Sequence, residues 1–264
     1  MKIITWNINS VRLRLPQVLR LLEEQKPDIL CLQETKCPDD AFPADAFMAA
    51  GYPHLVYRGE KGYNGVAMIA RRPIRSHEHA YWAGKQDCRH LSIVLENDLI
   101  IDNFYIPAGG DLPDPANNDK FAHKLQFLDE LADWSAHRDH GRPSVLVGDL
   151  NIAPREDDVW SHKQLLKVVS HTPVEVDAFN RVMDKGNWHD AVRLAIPDGK
   201  LYSWWSYRAR DWSAADRGRR LDHIWVTPPL RDQIIGAEVI KSARGWEKPS
   251  DHAPVVLQLD YDEL

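Results

Sequence analysis

Met1-Lys2-Ile3-Ile4-Thr5-Trp6-Asn7-Ile8-Asn9, followed by a segment opening at Pro16 and by Ile29-Leu30-Cys31-Leu32-Gln33-Glu34, is the stretch whose reading decides the fold. The first run is apolar and β-prone and reads as a strand. Pro16 suits the first turn of a helix carrying Val18, Leu19, Leu21 and Leu22, and Lys26-Pro27 ends that helix before the second apolar run. The result is a strand–helix–strand unit that leaves Asn7, Asn9 and Glu34 just past strand ends.

The remaining chain extends this alternation. Short strands are expected around His54-Tyr57, Gly65-Ala70, Leu91-Glu96 and Leu99-Tyr105, divided by Gly, Pro and charged turns and antiparallel in character. From Asn118 to Arg138, Phe121, Leu125, Leu128 and Leu131 recur at helical spacing, with Gly141 as the expected C-cap region. A strand follows at Ser144-Gly148, and Thr172-Pro173-Val174-Glu175 is a capping box that starts a helix running to about Gly186. Strands near Leu221-Val226, Ile235-Ile240 and Pro254-Leu259 close the chain. No linker or low-complexity segment interrupts it. The expectation is a single α/β domain over residues 1–264, a four-layered αββα sandwich of two mixed β-sheets flanked by helices.

Composition narrows the function classes. The 264 residues are 44% hydrophobic and 27% charged, enough for a substantial core. With 33 basic and 39 acidic residues the net charge is −6, which excludes broad electrostatic coating of nucleic acid and leaves room only for a local basic strip. Cys31, Cys37 and Cys88 have no metal-site spacing and fit a reducing compartment. No apolar stretch approaches the ~20 residues that cross a bilayer, so a cytoplasmic protein without membrane attachment is expected.

Five apolar strands end in polar groups: Asn7-Ile8-Asn9, Gln33-Glu34-Thr35, Asp149-Leu150-Asn151, Asp222-His223 and Ser250-Asp251-His252. One Asp-x-Asn after a strand is ordinarily a turn, but five such ends along one edge of a sandwich can converge on a pocket. Glu34, Asp251 and Asn9 offer hard oxygen ligands without cysteine, which suits Mg²⁺ or Mn²⁺ rather than zinc. Such an ion acts on phosphate: Asp149 can orient or deprotonate water, His252 can donate to a phosphoryl oxygen, Asp222 can fix the His252 tautomer, and Tyr105 can serve a leaving alkoxide. By strand alternation His223 should point away from Asp222.

Together with Leu32-Gln33-Glu34-Thr35-Lys36, Tyr105-Ile106-Pro107, Gly148-Asp149-Leu150-Asn151, Arg220-Leu221-Asp222 and Tyr202-Ser203-Trp204-Trp205, this set resembles, in order and over nearly the whole chain, the exonuclease III family of apurinic/apyrimidinic endonucleases. The resemblance implies Glu34 as principal Mg²⁺ ligand, with Mn²⁺ as substitute, and Asp251, Asn9 and Asn7 around it. Asp149 would activate water, Asn7 and Asn151 would bond the phosphate and the acids, and His252, paired with Asp222, would contact the scissile phosphate beside Tyr105. Lys36, Trp204, Trp212, Arg219 and Leu221 would face substrate. The implied partner is double-stranded DNA carrying an abasic site or a 3′ end, bound by a monomer that cleaves 5′ to abasic sites and trims or cleans 3′ ends.

Two departures from the family pattern stand out: Ala108-Gly109-Gly110 follows Tyr-x-Pro where relatives carry Asn or Gln, and Arg219 stands where animal enzymes carry Trp. Arg208, Arg210, Arg217, Arg219 and Arg220, interleaved with Tyr207 and Trp212, form a candidate phosphate-tracking edge, to which Arg58 and Lys61 could add. Trp205 is balanced between core and pocket, and Asp190 is a candidate supporting residue. Two other readings compete: the same scaffold acting on RNA, phospholipid or inositol phosphate, and a DNA-binding protein without catalysis. The first lacks a membrane helix or secretion signal, and the second would show a missing ligand where none is missing.

Overall fold

A computed structural model describes residues 1–261 and shows two six-stranded mixed sheets packed face to face. The first runs, edge to edge, Ile234–Val239, Val255–Leu259, Lys2–Asn7, Ile29–Gln33, Val66–Ala70 and His54–Arg58. The second runs Ile74–Glu78, His90–Leu95, Ile100–Tyr105, Ser144–Asp149, Asp222–Val226 and His189–Asp190. Each sheet holds one parallel pair at its centre, Lys2–Asn7 beside Ile29–Gln33 and Ile100–Tyr105 beside Ser144–Asp149, and every other pairing is antiparallel.

A parallel pair needs a crossover. The first is the helix Leu15–Gln25, with Pro in its opening turn and Lys26 in the left-handed region (φ 47°) closing it, as the sequence suggests. The second includes the helix Asp119–Ala136, which packs with Pro173–Lys185 on the outer face of the second sheet through Phe127, Leu128, Leu131, Phe179 and Val182. Thr172 and Glu175 form the expected capping box. The layers are therefore helix, sheet, sheet, helices.

Strand alternation explains why the sandwich opens into a site. Ile3, Ile29, Ile101, Val147 and Ile224 face between the sheets, whereas Ile4, Leu30, Phe104, Leu146 and Trp225 face the helices. Counting on by twos along the inner face places Asn7, Tyr105, Asp149 and Asp222 in the gap between the sheets at one edge. Just below them Gln33 donates to Thr5 Oγ1 (2.9 Å) and Asn103 Oδ1 (2.7 Å), and Asn103 donates to the Leu32 and Ala67 carbonyls, so a hydrogen-bonded floor joins the sheets under the site. Gly148 adopts φ +144°, and a Cβ there would lie 1.9 Å from Phe104 O, so only glycine lets this parallel pair close next to Asp149.

Three expectations need correction. The helix ends at Ala136 rather than near Gly141, because Arg138 leaves it to pair with buried Asp102 at 2.8 Å. The Ile74–Glu78 strand gave no sequence signal, since it is a largely exposed polar edge. The strands between His54 and Tyr105 pair antiparallel with one another, as expected, but they are shared between the two sheets, and Ile100–Tyr105 also runs parallel to Ser144–Asp149. Among the described residues no helix is long and apolar enough to cross a membrane.

Candidate active site

At the open edge the chain turns sharply after each strand. Asn9, Glu34, Lys36 and Asn151 all adopt left-handed backbone (φ 46°, 50°, 48° and 54°), unusual for residues with a Cβ and costing about 1 kcal/mol or more each. Local bonds hold the strain in place. Asn9 N donates to Asn7 Oδ1 (3.1 Å), Ser10 N to Glu34 O (2.8 Å), and Asn151 N to Asp149 Oδ1 (3.0 Å).

Buried Asn7 is the hinge of the site: its Nδ2 donates to Glu34 Oε1 (2.9 Å) and to Asp149 Oδ2 (2.8 Å). The two acids thus accept hydrogen bonds from one amide, which divides the cavity into two ends. At one end Glu34 Oε1 also accepts from the Tyr105 hydroxyl (2.9 Å), while Lys36 Nζ lies 2.6 Å from Glu34 Oε2 and 2.7 Å from Asn9 Oδ1. Asn9 Nδ2 in turn donates to Asp251 Oδ1 (3.1 Å), and the Trp204 indole N–H donates to Asp251 Oδ2 (3.0 Å).

Two oxygens from different strand ends already converge on the Lys36 ammonium. With Asp251 alongside, this all-oxygen donor set fits a hard divalent cation. Burial works against ionisation of both Glu34 and Asp251. The Lys36 and His252 cations and the Asn7 amide nevertheless hold Glu34 below the usual carboxylate range, and His252, Trp204 and Asn9 do the same for Asp251.

The other end sets an imidazole between two carboxylates. His252 Nδ1 lies 2.8 Å from Asp222 Oδ2, and its Nε2 lies 3.7 Å from Asp149 Oδ2. Asp222 Oδ2 also accepts from Ser203 Oγ (2.6 Å), whose oxygen takes the Leu221 and Asp222 N–H groups. Burial opposes the imidazolium, yet Asp222 and Asp149 together push His252 up to about 10. Burial and the charges of Asp222 and Glu34 push Asp149 up to about 7, against the pull of His252. Burial, Glu34 and Asp149 keep the Tyr105 phenol protonated.

Asp149, Asp222 and His252 also have ligand atoms within 4.8 Å of one another, a second candidate metal group. Both Asp149 oxygens and Asp222 Oδ2 are already bonded to Asn7, Asn151, Ser203 and the imidazole, whereas Asp222 Oδ1 is buried without a partner among the described residues, and the all-oxygen donor set is the one at the Glu34–Asp251 end.

The ends share a cavity of about 710 Å³ also lined by Trp204, Leu221, Arg219 and Trp160. Trp204 sits opposite Arg219 in a two-stranded ribbon, and the Arg219 guanidinium lies 5.3 Å from its ring centre. The structure thus gathers Asn7, Glu34, Tyr105, Asp149, Asn151, Trp204, Arg219, Leu221, Asp222, Asp251 and His252, with Asn9 and Lys36 bonded to them.

It does not gather everything expected. Trp212 packs edge-on against buried Trp205 at 5.3 Å, outside the cavity lining, so the pair is an aromatic support rather than a wall. Arg220 is buried, not part of a solvated edge: it pairs with Asp158 (2.8 Å) and Asp190 (2.8 Å). Asn151 donates its side-chain amide to Ile106 O (2.9 Å), away from the acids. Exposed Arg208 and Arg217 do reach the cavity rim, and His223 points away from Asp222 to Ile152 O (2.7 Å).

Sequence reasoning missed Ser203 as the clamp on Asp222. It also missed buried Lys124, which bonds Asn151 O (2.9 Å), Ala108 O (3.3 Å) and Glu175 (2.5 Å) and ties two site loops to the first turn of the helix Pro173–Lys185. The only sequence signal for Lys124 was a cation on the apolar face of a helix.

Residues 4–252 match the Endonuclease/Exonuclease/phosphatase family. Exodeoxyribonuclease III of Haemophilus influenzae is 31% identical, covering 97% of this chain and 98% of its own length. Among solved structures, an AP endonuclease from Archaeoglobus fulgidus superposes with a TM-score of 0.92 at 33% identity, covering 99% of this chain and 100% of the other. The 3′-5′ exonuclease NExo of Neisseria meningitidis superposes with a TM-score of 0.91 at 34% identity and the same coverage.

Proposed function

Since the chain belongs to the Endonuclease/Exonuclease/phosphatase family, and within it to the exodeoxyribonuclease III and AP endonuclease branch, we propose that it is a Mg²⁺-dependent DNA-repair phosphodiesterase. It cleaves duplex DNA 5′ to abasic sites and also works on 3′ ends, by 3′→5′ exonuclease action and removal of blocking groups. The observation that carries this reading is the two-ended cavity: an all-oxygen cation site and a carboxylate–imidazole relay bridged by the single amide of Asn7.

Glu34 and Asp251, with Asn9 and Asn7 beside them, would hold the ion, and Mn²⁺ should substitute. When bound, it neutralises charge on the phosphodiester. Asp149 takes a proton from the attacking water, and its rise to about 7 suits a base working near neutrality. His252, held by Asp222 through Nδ1, presents Nε2–H to a phosphoryl oxygen. The protonated Tyr105 hydroxyl offers a further donor there or at the leaving 3′ oxygen. Lys36 supplies a second positive charge, and Trp204, Leu221 and Arg219 wall the space for the group beyond the phosphorus. We further propose that the protein works as a single-domain monomer on double-stranded DNA, with Arg208 and Arg217 meeting the phosphate backbone.

The test is a duplex with one tetrahydrofuran abasic analogue, incubated with Mg²⁺. Wild-type protein should nick it on the 5′ side, leaving a 3′-hydroxyl, and Glu34→Gln should slow nicking about 10²-fold or more. Intact duplex with excess wild-type protein would overturn the reading.

A further inference from the structure

The lining of the cavity carries a charge that the proposed reaction does not use. Arg219 is partly buried, its Nη1 donates to Val169 O (3.0 Å) and Ser170 Oγ (2.8 Å), and its face rests on Trp204. Its guanidinium forms no ion pair with any carboxylate among the described residues. Its Nε is buried without a hydrogen-bond partner there. Arg208 and Arg217, also on the lining, add positive charge to the same cavity. A half-buried, unpaired guanidinium is costly, and pairing it with an anion in a cavity of low dielectric recovers that cost.

We propose that Arg219 is a specificity-determining residue that selects a negatively charged group attached beyond the scissile phosphorus. This rests on the DNA-repair reading above. In hydrolysis 5′ to an abasic site, water bonds to phosphorus and the P–O3′ bond breaks. The bonding pair leaves on the 3′ oxygen, which ends as a hydroxyl, and the water proton passes to Asp149. The abasic sugar stays on the phosphate. A strand end whose 3′-phosphate carries a two-carbon carboxylate, 3′-phosphoglycolate, undergoes the same bond changes and releases phosphoglycolate. The glycolate occupies the place of the sugar, against the Trp204–Leu221–Arg219 wall. A neutral sugar offers a guanidinium only uncharged oxygen acceptors, whereas a carboxylate accepts through a stronger, charge-assisted bond.

The test is a cycle of two substrates and two proteins. Steady-state kcat/KM is measured on gapped duplexes ending in 3′-phosphoglycolate and in its neutral aldehyde counterpart, 3′-phosphoglycolaldehyde, with wild type, Arg219→Leu and Arg219→Lys. The tetrahydrofuran duplex is run alongside. Wild type should prefer the carboxylate about 10- to 100-fold, the range of a charge-assisted hydrogen bond. Arg219→Leu should erase that preference, Arg219→Lys should keep part of it, and the ratio of phosphoglycolate to tetrahydrofuran turnover should fall about tenfold or more in the Leu variant. If Arg219→Leu lowers every substrate equally and the carboxylate preference survives, Arg219 only braces the 169–170 loop and the proposal fails. If wild type shows no preference, it fails as well. If wild type turns over none of the three DNAs, the repair reading itself falls and takes the proposal with it.

Discussion

Two buried ionic clusters meet at the start of the Asp222–Val226 strand, and they are built to opposite plans. In one, two guanidiniums face two carboxylates: Asp158 accepts from Arg220 (2.8 and 2.9 Å) and Arg193 (3.1 and 2.5 Å), and Asp190 pairs with Arg220. In the other, a single imidazole lies between Asp222 and Asp149. The balanced cluster satisfies its acids. Despite burial, the arginines hold Asp158 down to about 2. In the unbalanced cluster burial pushes Asp149 up to about 7, with repulsion from Asp222 adding to it and one imidazole pulling against both. Unequal charge count, rather than burial, distinguishes a cluster poised to move a proton from one that braces the chain.

Neutralising Asp149 attacks the comparison most directly. Asp149→Asn keeps the volume and an acceptor for Asn7 but removes the proposed base. Single-turnover cleavage of the abasic duplex should fall about 10³- to 10⁴-fold, while the thermal midpoint stays within a few degrees of wild type. A loss under tenfold would mean that the base lies elsewhere.

Asp158→Asn should do the reverse. It leaves two buried guanidiniums with one acid, and breaking a buried pair in this way costs about 3–5 kcal/mol. The urea midpoint should drop accordingly, while kcat of the folded fraction falls less than tenfold because Asp158 touches no reacting group. A stable but inactive variant would show that the balanced cluster also takes part in chemistry.

Much of this was legible in the sequence, for definite reasons. The Ile3-to-Glu34 unit and the Thr172–Glu175 capping box are local signals, and the structure reproduces both. The polar strand ends were visible because each abuts an apolar run, and Asn7, Tyr105, Asp149 and Asp222 continue its period-two inner face. Pairings that depend on three dimensions were not visible. Arg220 sits in an arginine-rich run and reads as solvated, yet its partners Asp158 and Asp190 lie 62 and 30 positions away. Trp212 reads as a pocket wall until Trp205 is seen to need an aromatic neighbour. The Ser203 hydroxyl that fixes Asp222 has no signature beyond a Ser before two tryptophans.

The finest cut isolates the imbalance itself. In the proposed mechanism Asp149 must be ionised and His252 protonated, so the rate should rise as pH climbs through about 7 and fall as pH climbs through about 10. Asp222 contributes to both limits, raising His252 by attraction and Asp149 by like-charge repulsion. Asp222→Asn removes both effects at once. The alkaline limb should move down toward the ordinary histidine value and the acid limb should move below about 7, so the whole bell shifts to lower pH. At its new optimum kcat should remain about 10²-fold below wild type, because the amide orients the imidazole without stabilising its charge. A pH–rate profile of single-turnover cleavage measures both limbs together. A bell that loses height but keeps its limbs would show that Asp222 positions His252 without tuning it, and that the charge count of the cluster is not what poises Asp149.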